Sequence, residues 1–219
     1  MNEYKTLIGD IGFLMAEIPK DILYEIKINV DTIQNNFNNA IPKNKYLAGQ
    51  IDKEYVTTLS EKTVEYIKDL VNEYCIENPD YLEQKSRVLN SLHNNSKTEI
   101  PPLSYDGDAW VNFQSKYEYN PLHMHSGVFS FVIWYQIPYY QENEIKYGAG
   151  KGKDPDKNYN GKFLFAYPNT NGEITTLDLT IDKTMEGHIC IFPSSLNHAV
   201  NPFYTSDDYR ITLSGNISF

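Results

Sequence analysis

Five histidines occur in the 219 residues, at positions 93, 123, 125, 188 and 198, and three of them stand where a metal could use them. His123-Met124-His125 directly precedes a long aromatic segment. In an extended chain, residues two apart share a face, so both imidazoles can meet one ion. Neutral imidazole is the commonest metal ligand and suits Fe, Zn, Cu and Ni. Taken alone, such a pair is as readily a solvated strand end. His198 shifts the balance: it follows the apolar run Gly187 to Phe192 and the turn Pro193-Ser194-Ser195, which can aim a side chain into a barrel mouth.

Twelve residues further on, Arg210, Thr212, Ser214 and Asn216 alternate with Ile211, Leu213 and, beyond, Ile217. An arginine fork fits a carboxylate bidentately, and hydroxyls two and four residues on can add hydrogen bonds. The plainer alternative is the wet side of a half-buried strand.

In order along the chain, four stretches resemble the 2-oxoglutarate- and Fe(II)-dependent oxygenases, within a branch of bacterial and phage members. They are Trp110-Val111-Asn112, Asn120-Pro121-Leu122-His123-Met124-His125, Gly187 to His198, and Arg210 to Asn216. The resemblance covers about residues 105–219 and leaves the first hundred unassigned. It implies a double-stranded β-helix, a jelly-roll barrel with Fe(II) held at its open end by His123, His125 and His198. It further implies that 2-oxoglutarate chelates the metal, with its far carboxylate on Arg210 and hydrogen-bonded to Thr212. O2 would be the other cosubstrate, with succinate and CO2 released and hydroxylation the usual outcome. Most members carry Asp or Glu where His125 stands, completing a two-histidine, one-carboxylate triad. Three neutral ligands would leave the site one charge unit more positive. His125 is the favoured third ligand, with Glu118 or Asp108 as the acids that could serve instead.

Two other readings remain open. A cupin-type metalloprotein (dioxygenase, isomerase or sensor) also uses H-x-H and a later histidine, but needs a glutamate three or four residues on, where this chain has Val128 and Phe129. A non-catalytic β-barrel binding protein would carry the histidines incidentally. Gly148 to Asp154 only loosely suggests a phosphate loop: position 153 is Lys, and no buried strand leads into a helix. His188 should face away from His198, and His93 should lie in a loop.

The elements that must hold these residues fall into two halves. In the first, Ile22, Ile26, Val30, Ile33 and Phe37 repeat at three and four, and so do Val64, Ile67, Val71 and Tyr74 after a Ser60 N-cap, with Asn78-Pro79 as a stop. In the second, strands are expected near Trp110–Phe113, Phe129–Ile137, Lys162–Tyr167, Ile174–Leu179, His188–Phe192 and Tyr209–Ser218. The expected class is α+β, with a helical region over residues 1–100 packing on a metal-binding barrel over residues 101–219, in a single domain overall. The segment Tyr139–Gly161 is long enough to be a lid.

A net charge of −10 with 19 scattered basic residues argues against nucleic acid as a partner. No apolar run approaches the roughly 20 residues that span a bilayer, and the N-terminus lacks the features of a secretory signal. The reading is a soluble cytoplasmic protein with free thiols at Cys75 and Cys190. The resemblance implies a small-molecule or peptide substrate.

Overall fold

The computed structural model describes residues 4–8, 11–92, 100–105, 107, 109–148, 151–154 and 157–219. His93 and Asp108 lie outside them. Helix α1 (Lys20–Gln34) buries Ile22, Ile26, Val30 and Ile33 along one face, as the spacing predicts. Phe37 falls beyond its end, in a short 3-10 turn. It packs edge-on against Phe113 at 5.0 Å. Helix α2 (Glu61–Glu77) starts where expected: Ser60 Oγ accepts from the Thr63 N–H at 3.1 Å, satisfying one of the first-turn donors. After Asn78-Pro79 the chain resumes as α3 (Tyr81–Leu92), a helix not anticipated from the pattern.

Among the described residues, eleven strands follow one another as β1 (Tyr4–Ile8), β2 (Ile11–Glu17), β3 (Glu54–Thr57), β4 (Ala109–Gln114), β5 (Asn120–His123), β6 (Phe129–Gln136), β7 (Phe163–Pro168), β8 (Ile174–Leu179), β9 (His188–Pro193), β10 (Asn197–Val200) and β11 (Arg210–Ile217). They form two antiparallel sheets. The larger has the order β1-β2-β9-β6-β11-β4-β3 and the smaller β5-β10-β7-β8. Two facing antiparallel sheets with helices on one outer side make the α+β jelly roll anticipated above. No helix among the described residues is long and apolar enough to cross a membrane, and both cysteines are free.

The large sheet is buried on both faces, and alternation sorts its side chains. Ile211, Leu213 and Ile217 of β11 join Val111, Phe113, Phe129, Phe131, Ile133, Ile189 and Ile191 in a core shared with α1 and α2. Residues of opposite parity, including Val132, Trp134, Cys190 and Phe192, pack toward Phe163 and Phe165 of the small sheet. The polar row Arg210, Thr212, Ser214 therefore faces the interior between the sheets rather than bulk water. Period-two geometry produces this division without any further device.

The sheet crosses the division expected at residue 100. β2 pairs with β9 and β3 with β4, so the first hundred residues supply strands as well as covering helices. Their strands escape the sequence pattern because β3 has four residues and β1–β2 form a hairpin hidden in an undistinguished N-terminus.

Leu213 is fully buried at the helix-facing core. Leu213→Ala should lower the free energy of unfolding by about 2–5 kcal/mol, read as a reduced urea midpoint at unchanged slope. A loss below about 1 kcal/mol would contradict the double-sided burial of β11.

Candidate metal centre

Strands β5 and β10 are neighbours, and His123 and His198 are direct Cα partners across them. His125 lies two residues past the end of β5, where its backbone N–H donates to Ser194 O at 2.9 Å. That bond ties the H-x-H segment to the Pro-Ser-Ser turn, so the two motifs found far apart in sequence are held together directly. The ring centroids of His123 and His198 are 4.3 Å apart, and His125 lies 5.0 Å from each. One ligand atom from each ring lies within 4.8 Å of the others.

The hydrogen bonds orient the rings. His123 Nδ1 lies 2.7 Å from Pro121 O and His198 Nδ1 2.9 Å from Leu196 O. A carbonyl accepts only, so each Nδ1 carries the proton and each Nε2 presents a lone pair. His198 Nε2 faces His125 Nε2 at 3.2 Å. Two lone pairs at that range repel unless a proton or a metal cation lies between them. Adjacent ligands on an octahedral ion with bonds of about 2.1 Å stand about 3.0 Å apart, so the spacing suits one ion.

Burial keeps the imidazoles neutral. His198 is 4% exposed, stacked 5.6 Å from Phe163 and edge-on to Phe192 at 4.8 Å. Desolvation, then the neighbouring His123 and His125, hold its pKa well below the ordinary histidine value. Desolvation, then His123, lowers His125 to about 4. His123 is also lowered by burial, partly offset by its bond to Pro121 O. Neutral rings are what a metal requires.

Of the acids that could have replaced His125, Glu118 is engaged elsewhere: its carboxylate accepts from Asp52 N at 3.1 Å and Ser115 N at 2.7 Å. Among the described residues, it does not join the histidine cluster. His188 departs from expectation. It shares its strand face with Cys190 and Phe192, so it points between the sheets, but it pairs with Trp134 and Glu17 and stays out of the cluster.

A cleft between the sheets is lined by His123, His125, His198, Arg210 and Thr212 together, which brings all five sequence-predicted residues to one site. Arg210 is 2% exposed, and its five N–H donors all meet protein acceptors. Nε and Nη2 both donate to Gln114 Oε1, at 3.0 and 2.7 Å. Nη2 also reaches Asn201 O, while Nη1 serves Tyr139 OH and Gly161 O. Thr212 Oγ1 accepts from Asn112 Nδ2 at 3.1 Å.

Sequence reasoning missed the wall opposite. Leu47, Ala48, Ile51 and Glu54 line the same cleft, carried there by a segment whose Gln50 bridges Tyr119. Gly49 permits the approach, since a Cβ there would fall 1.8 Å from the Asn120 side chain. The segment Tyr139–Gly161, long enough to be a lid, has no described residue between its ends in the cleft wall. Glu144 anchors it elsewhere by accepting from the Tyr204 and Thr205 N–H groups at 2.8 Å each.

A jelly roll with three neutral imidazoles converging between its sheets defines a metal-binding barrel as the class. The family is given by residues 108–216, which match the model described as "Putative 2OG-Fe(II) oxygenase". On these residues the chain belongs to the 2-oxoglutarate- and Fe(II)-dependent oxygenase superfamily, whose cofactor and cosubstrates are Fe(II), 2-oxoglutarate and O2. Among solved structures, a prolyl-4-hydroxylase from Pseudomonas putida is similar at 12% identity, covering 95% of this chain and 92% of that one, with a TM-score of 0.48. A Trichoplax adhaerens prolyl hydroxylase, solved with a hypoxia inducible factor peptide, is 13% identical over 94% and 81%, with a TM-score of 0.49. AviO1 from Streptomyces viridochromogenes is 11% identical over 95% and 90%, with a TM-score of 0.47. A sequence search of curated proteins found no match.

The depressed histidine pKa values give a signed pH effect on the metal-free protein. Unfolded histidines bind protons near pH 6.5, whereas folded His125 does so only near 4. Stability is thus fully present above about pH 6.5 and falls as pH drops toward 4. Thermal unfolding from pH 7 to 4.5 should show a shallower decline for His125→Gln than for the wild type. Parallel curves would contradict the buried neutral cluster.

Proposed function

We propose that the chain is an oxygenase that hydroxylates a small-molecule or peptide substrate, with Fe(II) held by His123, His125 and His198. The observation that carries this reading is the convergence of three imidazoles, with one ligand atom of each within 4.8 Å of the others, two of them held in the Nδ1–H tautomer by bonds to backbone carbonyls. When bound, Fe(II) with 2-oxoglutarate and O2 supplies the oxidising power to place oxygen in a C–H bond, with succinate and CO2 released. His123 and His198 act as pre-aimed ligands whose tautomers the backbone sets. His125 takes the place where related proteins carry a carboxylate, and its neutrality leaves the metal more positive toward an anionic cosubstrate.

Arg210 and Thr212 are the proposed hold on the far carboxylate of 2-oxoglutarate. The edge of the guanidinium formed by Nε and Nη2 is the one a carboxylate grips bidentately, and there Gln114 Oε1 already accepts both bonds. We place the carboxylate in exchange with that amide oxygen. Gln114 keeps a second tie through Nε2 to Glu118 O at 2.6 Å, which gives the displaced side chain an anchor. The aromatic packing of Phe163 and Phe192 around His198 excludes water from one side of the metal site.

Anaerobic addition of Fe(II) and then 2-oxoglutarate should give a weak visible charge-transfer band. His125→Ala should weaken iron binding more than about 100-fold, beyond what the loss of a supporting contact costs. Retention of full iron stoichiometry would remove His125 from the ligand set. Arg210→Ala should weaken 2-oxoglutarate at least about 30-fold, and Gln114→Ala should tighten it while destabilising the cosubstrate-free protein. Iron bound normally but with no response to 2-oxoglutarate would count against the keto-acid assignment.

A further inference from the structure

We propose that Glu54, with Asn112 beside it, forms a substrate-recognition subsite in the cleft, selecting a substrate that carries a primary ammonium group. The inference rests on the iron centre proposed above and concerns the opposite wall of the same cleft.

Glu54 is 3% exposed and lines the cleft, and its Oε1 has no hydrogen-bond partner among the described residues. Asn112 is 6% exposed, lines the same cleft, and its Oδ1 is likewise without a donor. The two are cross-strand partners between β3 and β4, and Asn112 in turn partners Thr212 on β11. Same-face partners across adjacent strands stand about 5 Å apart. Two acceptors without donors therefore lie side by side on rigid backbone, in a row leading to the proposed cosubstrate residues.

Leaving such groups unpaired costs stability, so a buried carboxyl without a donor calls for an explanation. Among the described residues no cation pairs with it. Arg210 has spent all five donors. Lys53, the preceding residue, bonds Tyr209 OH and lies over the ring of Phe37, which packs against the helix-side core. The charge that does act on Glu54 has its own sign: burial first, then Glu118, push its pKa up to about 7. A ligand that brings a positive charge and several N–H donors removes both deficits. An ammonium group has three donors and can serve Glu54 Oε1 and Asn112 Oδ1 together, whereas a hydroxyl has one.

The full chain, loaded anaerobically with Fe(II) and 2-oxoglutarate, is titrated calorimetrically with n-butylammonium, n-butanol and butyrate. The ammonium should bind at least about tenfold more tightly than the alcohol, as expected for hydrogen bonds to a charged group, and butyrate should be weakest. Glu54→Gln should abolish that preference while leaving iron stoichiometry unchanged and thermal stability equal or higher, because the desolvation cost of the carboxyl disappears. Asn112→Ala should reduce the preference in part. Equal affinity for the three probes, no ammonium binding, or an unchanged preference in Glu54→Gln overturns the proposal. So does marked destabilisation of that variant, which would reveal a structural partner for the carboxyl. If the preparation binds no Fe(II), the proposed function fails instead, and the same titration of the metal-free chain still decides the subsite.

Discussion

The buried guanidinium of Arg210 is the constraint to which the architecture must answer. A charge that cannot be neutralised and is 2% exposed leaves its five donors to be met from within. The acceptors come from four places: Gln114 on β4, Tyr139 after β6, Gly161 before β7 and Asn201 after β10. Satisfying one side chain thus brings strands of both sheets to one point and closes the Tyr139–Gly161 excursion at its base. Gly161 adopts φ +72, and a Cβ there would sit 2.8 Å from the Tyr139 ring, so glycine is what lets this carbonyl reach the arginine.

The cleft concentrates groups that a purely structural core would avoid. Three imidazoles, one buried and two half-buried, have their charged forms disfavoured by desolvation, and a carboxyl and an amide oxygen go without donors among the described residues. The helix-facing core of the same sheet is aliphatic and aromatic, built of Ile, Leu, Val, Ala and ring side chains. One layer therefore supplies the stability that the other gives up, and the strands between them carry both kinds of residue in alternation. Perturbed titration clustered in one cleft is a recognised signature of function.

Much of this was legible in the residues themselves. Strong periodicity exposed α1, α2 and most of the long strands. The alternation on β11 divided its side chains correctly, although the polar row meets the interior. The histidine trio was legible because each member lay beside a motif. What escaped did so for physical reasons. β5 contains a proline and β10 has four residues, so neither shows a pattern of its own, and pairing with longer neighbours makes them strands. Glu54 has no motif at all. Its importance arises from the register that sets it across from Asn112, a long-range fact that local sequence does not encode. The course of Tyr139–Gly161 was likewise hidden, because the length of the segment said nothing of where Glu144 would anchor it.

The pairing of β3 with β4 has a consequence for how such a protein can diversify. The proposed iron ligands and Arg210 all lie within residues 108–216, the stretch that carries the family match, while Glu54 and the Leu47–Ile51 wall come from outside it. The proposed reaction chemistry and the proposed ligand choice are thus drawn from separate parts of one chain, which the β3–β4 pairing and the Gln50–Tyr119 bridge hold together at the cleft. β3 is short and holds only a brief outer partner, the bridge of Pro42 to Tyr55, so an exchange of its inward residue disturbs few pairings beyond β4. On such a scaffold, a lineage can change what it acts upon while keeping the reaction it performs.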